Sequence, residues 1–278
     1  MQLVDFCTTV FQSILKVGMA EDVVITFRWS IWKCNRDNLT LLNHSIGTFQ
    51  FFFAAQAAYI VFTDDKEFVE RYLQVPVQVY NYTDVPNYQY LDDHSTWKKW
   101  VPACRWTSKD ENVEIRVDYD MFLVGDPLEL KWFCSPDNTT KQFMVTAEAQ
   151  EAQWPYGNFA HQLRKSAMSI NAGLLGQYID ADLTNSLHEQ YAWWSQNVNA
   201  SDIKYHDEQG AVAKALELHI ECNQVFLLPL ERYCIISPFN DTHHIDVNEI
   251  VLLHATCPDH PAFYQFLNRI SQFSGIRI

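Results

Sequence analysis

Val113-Glu114-Ile115-Arg116-Val117-Asp118-Tyr119-Asp120-Met121-Phe122-Leu123-Val124-Gly125-Asp126-Pro127 is an alternating strand that runs into two carboxylates one residue apart and closes on a Gly-Asp-Pro turn. On an extended backbone, residues two apart project to the same side. Asp118 and Asp120 can therefore share one hard cation, while Tyr119 faces the other way, into the fold. Such a cation takes oxygen ligands and keeps part of its sphere for substrate phosphates. Taken alone, the couplet reads more often as a solvated strand end, because paired acidic residues are common on surfaces.

The rest of the chain sets the frame. With 278 residues and 48% hydrophobic content it can bury a large core, and a single α/β domain is expected over residues 1–278. The apolar run from Phe49 to Ile60 is too short to cross a bilayer and is interrupted by Gln50 and Gln56, which suits a buried helix. The first residues lack the charged start and small-residue cleavage site of a secretory signal. Seven cysteines, an odd set without a Cys-x-x-Cys pair, fit reduced thiols in a cytoplasmic protein better than a zinc site or a disulfide framework. A net charge of −14 disfavours a broad nucleic-acid or anionic-membrane surface. The exception is the segment where Lys98, Lys99, Arg105 and Lys109 interleave with Trp97, Trp100 and Trp106, where a polyanion could gain purchase.

Strand and helix signals alternate, the pattern of a mostly parallel, Rossmann-like sheet flanked by helices. Strands are predicted at 22–28, 58–63, 75–80 and 143–147, and helices at 38–54 (capped by Asn38), 66–73, 95–106, 185–196, 207–217 and 261–270. Residues 227–236 read as one extended segment. In such sheets ligands sit beyond the carboxyl ends of strands, which is where Arg28, Asp64, Asp118 and His254 fall. On strand order alone, a nucleotide base is expected near Thr26, Arg28 and Asp64.

Three further motifs follow the acidic couplet in order. Met168-Ser169-Ile170-Asn171-Ala172-Gly173 is a strand bearing an amide, Tyr205-His206-Asp207-Glu208-Gln209 opens a helix, and Ile250-Val251-Leu252-Leu253-His254 is a buried-type strand ending in imidazole, with His260-Pro261 six positions on. Together they resemble the GT-A fold nucleotide-sugar glycosyltransferases, most closely the retaining family typified by bacterial galactosyltransferases and glycogenin. That family shows an Asp-x-Asp strand, an Asn-Ala-Gly strand, an Asp-Gln or Asp-Glu pair before a helix, and a late His followed by Lys-Pro. The order covers about residues 22 to 265. His260 stands where the family has Lys, so its charge would be full only below its pKa, unperturbed at about 6.5.

The resemblance implies a transferase moving a sugar from a nucleotide diphosphate, by analogy UDP, to a hydroxyl acceptor with retention. Residues of about 20–125 would bind the nucleotide, and those of about 126–278 the sugar and the acceptor. Asp118, Asp120 and His254 would hold a divalent metal, with manganese favoured over magnesium because an imidazole suits the softer ion. A histidine ending an apolar strand is otherwise a common structural residue. Lys98, Lys99 and His260 would offset diphosphate charge. Asn171 and Asp207 would bind sugar hydroxyls, with Glu208 or Gln209 beside the anomeric carbon, and Glu148 could reach the acceptor side.

For Asp207 and Glu208 the residues leave a second reading open, an acidic first turn favoured by the helix dipole; for Glu148 it is a plain helix-start glutamate. Tryptophans 97, 100, 106, 132, 154, 193 and 194 could stack on sugar faces or serve as core. A glycan, a protein hydroxyl and a hydroxylated base in DNA stay open as acceptors, the last disfavoured by charge. The alternatives of a different class are a non-catalytic nucleotide-sugar binding protein and a nucleotidyltransferase. The latter lacks its glycine-rich loop, since residues 26 to 37 contain no glycine.

Overall fold

The computed structural model describes residues 24–85, 95–100, 111–149, 152–178, 180–237, 246 and 248–256. His260-Pro261, the helix predicted at 261–270, and Arg105, Trp106 and Lys109 lie outside the described residues.

The alternating segments build a seven-stranded sheet. In chain order its strands are β1 (Val24–Ile31), β2 (Ala57–Thr63), β3 (Gln78–Asn81), β4 (Glu111–Val117), β6 (Phe143–Ala147), β7 (Ile170–Tyr178) and β8 (Val225–Leu228). Their spatial order is β3-β2-β1-β4-β7-β6-β8, and β7 alone runs against the other six. A second sheet joins β5 (Met121–Leu123), β9 (Tyr233–Ile236) and β10 (Leu252–Ala255) in the order β5-β10-β9. The chain has the α/β architecture expected of it; the second sheet was not foreseen.

Period-two patterning explains the layers. Ile25, Phe27, Trp29 and Ile31 of β1 and Val113, Ile115 and Val117 of β4 face one core. Helix α1 (Arg36–Phe53) covers it with Leu39, Leu42, Ile46, Phe49 and Phe53. Val69 of α2 (Lys66–Tyr72) and Leu130 and Phe133 of α3 (Leu128–Phe133) pack into the same core. The opposite face lies under α4 (Thr184–Asn197), α5 (Asp207–Glu221) and the 3-10 segments Ser95–Trp100 and Trp154–Gln162.

On that second face the polar alternates of β1 and β4 meet in a buried ionic cluster. Glu114 lies 3.5 Å from Arg28 and 3.3 Å from Arg116, and its side chain has no solvent exposure.

Several predicted boundaries move for physical reasons. The cap of α1 is Asn35 rather than Asn38: the Asn35 side chain accepts from the amides of Asp37 and Asn38, and the Asn38 side chain accepts from the Asn35 amide, each at 2.9 Å. The apolar run Phe49–Ile60 is not one helix. It leaves the helix at Ala54, whose φ is 44°, and continues as β2, where aromatic and β-branched residues pair with β1. The segment predicted as a helix at 95–106 is 3-10 over Ser95–Trp100. The extended stretch at 227–236 is two strands in two sheets, β8 and β9, separated by a turn.

Replacing Glu114 with Leu takes a buried carboxylate away from two buried guanidinium groups. The expected loss is about 3–5 kcal/mol of unfolding free energy, read by urea titration.

Candidate active site

The reversed strand β7 and the second sheet converge on the turn that follows β4. Asp118 and Asp120 lie in this turn, just past the end of the strand. The Asp118 amide donates to the carbonyl of Gly173 in β7 (2.8 Å), and the Asp120 carbonyl accepts from Ala255 in β10 (2.9 Å). Two backbone bonds thus hold the acidic turn between the Asn-Ala-Gly strand and the His254 strand. Gly173 is required there, since a Cβ would stand 2.5 Å from the His254 ring carbon Cε1 and 3.0 Å from Asn171 Oδ1.

These residues open on a cavity of about 490 Å³, within the range of small-molecule sites. One ligand atom each from Asp118, Asp120 and His254 lies within 4.8 Å of the other two. The His254 Nε2 is 3.5 Å from Asp120 Oδ1 and 3.9 Å from Asp118 Oδ2. Asp120 Oδ1 is buried without a hydrogen-bond partner, and so is His254 Nδ1. Burial pushes the Asp120 carboxyl up to about 8, helped by the charge of Asp118. Burial also lowers His254 to about 4, against the pull of Asp118, so its ring is neutral at pH 7. Two carboxylate oxygen donors, one of them buried without a partner, and a neutral imidazole fit a divalent cation.

A further set of polar groups lines the same cavity. The Lys99 ammonium reaches Asp118 Oδ2 at 3.2 Å and Glu208 Oε1 at 2.9 Å. Burial opposes its charge, but the two carboxylates outweigh that cost and raise its pKa. Glu208 Oε2 accepts from the buried Trp100 indole at 2.8 Å. Desolvation raises the Glu208 pKa, while Lys99 and Trp100 pull it down. Beyond it, Glu148 Oε2 accepts from Asn171 Nδ2 (3.1 Å) and Gln209 Nε2 (2.9 Å), and Gln209 Oε1 accepts from the Ala172 amide (3.2 Å).

The predicted site residues divide. Asp118, Asp120, His254, Asn171, Glu208, Lys99, Glu148 and Gln209 line the one cavity. Asp207 does not: it is buried, and its carboxylate accepts from Asn158, the Lys204 amide and the Trp194 indole. The pair facing the cavity at the start of α5 is therefore Glu208 and Gln209, one residue later than the motif suggested. Thr26 and Arg28 are buried within β1, and Asp64 is exposed and accepts from the Lys33 amide; none of the three lines the cavity, and neither does Lys98. Further along the same chain direction, Ser30 and Trp32 do. Tyr119, expected to face into the fold, also lines it.

The tryptophan and lysine segment forms no open basic face among the described residues, since Trp97 and Trp100 are core and Lys99 is spent on carboxylates. The sequence offers Trp100 as a stacking or core ring and Tyr205-His206 as the head of a helix motif, but not Trp100 as a donor to Glu208 or Tyr205 and His206 as cavity lining. A buried indole donor gives no period-based signal, and the last two stand directly before a motif that drew the reading onto its acids.

No family model matches the chain, and no curated protein does. Solved structures do. Galactosyltransferase LgtC in complex with donor and acceptor sugar analogues aligns with a TM-score of 0.53 at 12% identity, over 90% of this chain and 95% of that one. Mouse xyloside xylosyltransferase 1 in its apo form aligns at 0.55 and 13%, over 86% and 99%. The WbbM bifunctional glycosyltransferase aligns at 0.53 and 10%, over 92% of this chain and 51% of that one. At such identities the likeness is one of fold, and the fold is GT-A.

The charge arrangement fixes a pH dependence. A metal ligating Asp120 must displace its proton below pH 8, so manganese affinity is expected to rise about tenfold per pH unit from 6 to 8 and to level off above, read by calorimetry. The raised carboxyl also costs folding free energy. An unfolded Asp ionises at about 3.9, so the penalty is absent below that pH, grows to about pH 8 and then stays constant. Asp120→Asn should therefore stabilise the metal-free protein at pH 7 by roughly 1–3 kcal/mol, a gain that fades as pH falls to 4.

Proposed function

We propose that this chain is a glycosyltransferase that moves a sugar from a nucleotide diphosphate donor, a UDP-sugar, to a hydroxyl acceptor, using a divalent cation. The observation that carries the reading is one cavity lined by two unlike sets of groups. Asp118, Asp120 and His254 form a metal-competent cluster, and Glu208, Gln209, Asn171 and Glu148 add hydrogen-bonding groups beside it. The GT-A fold, shared with solved glycosyltransferases, supports it.

The division of labour follows from the chemistry. Asp118, Asp120 and His254 would hold a divalent metal, manganese by preference, which when bound would supply a Lewis acid for the leaving diphosphate. Asn171 and Glu148 offer an amide and a carboxylate to sugar hydroxyls. Glu208 has one oxygen on Lys99 and the other on Trp100. A carboxylate so held acts through its charge on the positive sugar carbon of the transition state, rather than as a mobile nucleophile. Gln209 sits beside it, pinned by Glu148 and the Ala172 amide, and sets the donor sugar's orientation. Lys99 steadies the pair Asp118 and Glu208, and on this reading it orients both sets.

Calorimetry with UDP, GDP and CDP, each with manganese, is expected to show binding of UDP that His254→Ala abolishes; no binding of any of the three would overturn the reading. With the matching donor, Glu208→Gln is expected to lower turnover by about 100-fold with little change in donor KM, because it removes charge felt chiefly in the transition state. Wild-type turnover retained in that variant would remove Glu208 from the chemistry.

A further inference from the structure

Three aromatic rings stand at one side of the cavity: Trp154, His206 and Tyr205 all line it. Trp154 is 49% exposed and Tyr205 is 74% exposed. Large aromatic side chains left open beside a polar cavity are costly to solubility and useful for stacking. They are also ordered among themselves. The Trp154 and His206 rings meet at 65° with centroids 5.0 Å apart, and Tyr205 and His206 meet at 90° with centroids 5.2 Å apart.

The two segments that carry these rings are clamped by one buried carboxylate. Asp207 accepts from the Asn158 amide (2.7 Å) and from Asn158 Nδ2 on the segment after Trp154, and from the Lys204 amide (3.0 Å) just before Tyr205. The Trp194 indole of α4 completes its shell at 2.9 Å. Gly157, with φ of 54°, fits against the clamp because a Cβ there would lie 2.1 Å from Asp207 Oδ1. Gly210 likewise lets α5 approach Tyr156, whose carbonyl oxygen would be 2.2 Å from a Cβ. The rim is therefore built before any ligand arrives.

We infer that Trp154, His206 and Tyr205 form a preorganised acceptor subsite for a neutral saccharide, with Asp207 as its positioning residue. The inference rests on the transferase reading, and it names the acceptor class that reading leaves open. Rings of this kind offer a flat apolar surface to the C–H face of a pyranose at small entropic cost. Charge selects among stacking ligands. Among the described lining residues the one ammonium, Lys99, is already held by Asp118 and Glu208, so outside the metal cluster no free cation is offered to a phosphate. A nucleobase would stack equally well, but the phosphates of a nucleic-acid strand would find no free cation beside these rings.

The test is an NMR titration of 15N-labelled protein with lactose, cellobiose and xylobiose at millimolar concentration, and with a short single-stranded oligonucleotide. The indole signal of Trp154 is assigned from Trp154→Phe. The expected result is a saturable shift of that signal with at least one disaccharide and none with the oligonucleotide. Affinity should fall about tenfold in Trp154→Ala and in Tyr205→Ala, and Trp154→Phe should restore part of it. Asp207→Asn should weaken saccharide binding while the protein still unfolds cooperatively; if that variant does not fold, the two ring variants decide.

No disaccharide shift, an unaltered affinity in both ring variants, or binding of the oligonucleotide instead would overturn the subsite. UDP and manganese binding, measured on the same wild-type sample, separates the two claims. Nucleotide binding without saccharide binding sinks the subsite alone. Saccharide binding without nucleotide binding keeps the rim and sinks the donor assignment.

Discussion

The Lys99 ammonium, shared between Asp118 and Glu208, is the interaction on which the rest of the site depends. It joins two parts of the cavity lining, one built by the turn after β4 and the other by the first turn of α5. Without it, two carboxylates would face each other through a medium of low dielectric, where like charges repel far more strongly than in water. One cation cannot satisfy them all. Asp120, which has no such partner, answers by holding its proton up to about pH 8. Among the described residues the site thus contains one resident positive charge, and a carboxyl that ionises readily only when a second arrives, a state suited to a bound metal.

Bringing these groups together is the work of the topology. Six strands of the main sheet run one way, and their ends would ordinarily present loops in a row. Reversing β7 puts Asn171 and Gly173, at the start of that strand, beside Asp118 at the end of β4, so a strand start and a strand end meet at one point. The small sheet β5-β10-β9 then returns His254 to the same place by pairing β10 with β5, which follows directly from the acidic turn. A glycine at 173 removes the one side chain that would separate imidazole from amide.

Much of this was legible in the residues, because periodicity reports burial directly. The alternation of β4, the strand at 143–147, and the helices at 185–196 and 207–217 follow from one-face or two-face burial, which leaves its mark locally. The gathering of Asp118, Asp120 and His254 was legible as well, through motif order. What escaped depends on long-range pairing. The second sheet is made of three-to-four-residue strands, each too short to carry a period, and whether 227–236 forms one strand or two is decided by partners far along the chain. The cap at Asn35 was displaced by a chemically identical neighbour at Asn38. Strand order drew Thr26 and Arg28 toward a ligand, whereas Arg28 is buried and pairs with Glu114 one strand over.

The first turn of α5 shows why an acidic motif can be read one residue out of register. Successive helical residues point about 100° apart, so Asp207, Glu208 and Gln209 cannot all serve one ligand. All three are buried nonetheless, because three bodies meet around this turn. Asp207 looks toward the segment of Asn158 and toward α4, Glu208 toward Lys99 and Trp100, and Gln209 toward Glu148 and β7. A string of acids and amides there is consistent equally with a helix dipole, a clamp or a ligand shell, and only the partners tell them apart. The consequence is mechanical: the residue that fixes the aromatic rim, the one that meets Lys99 and the one that meets the amide network are consecutive. A displacement of this single turn would therefore shift all three together.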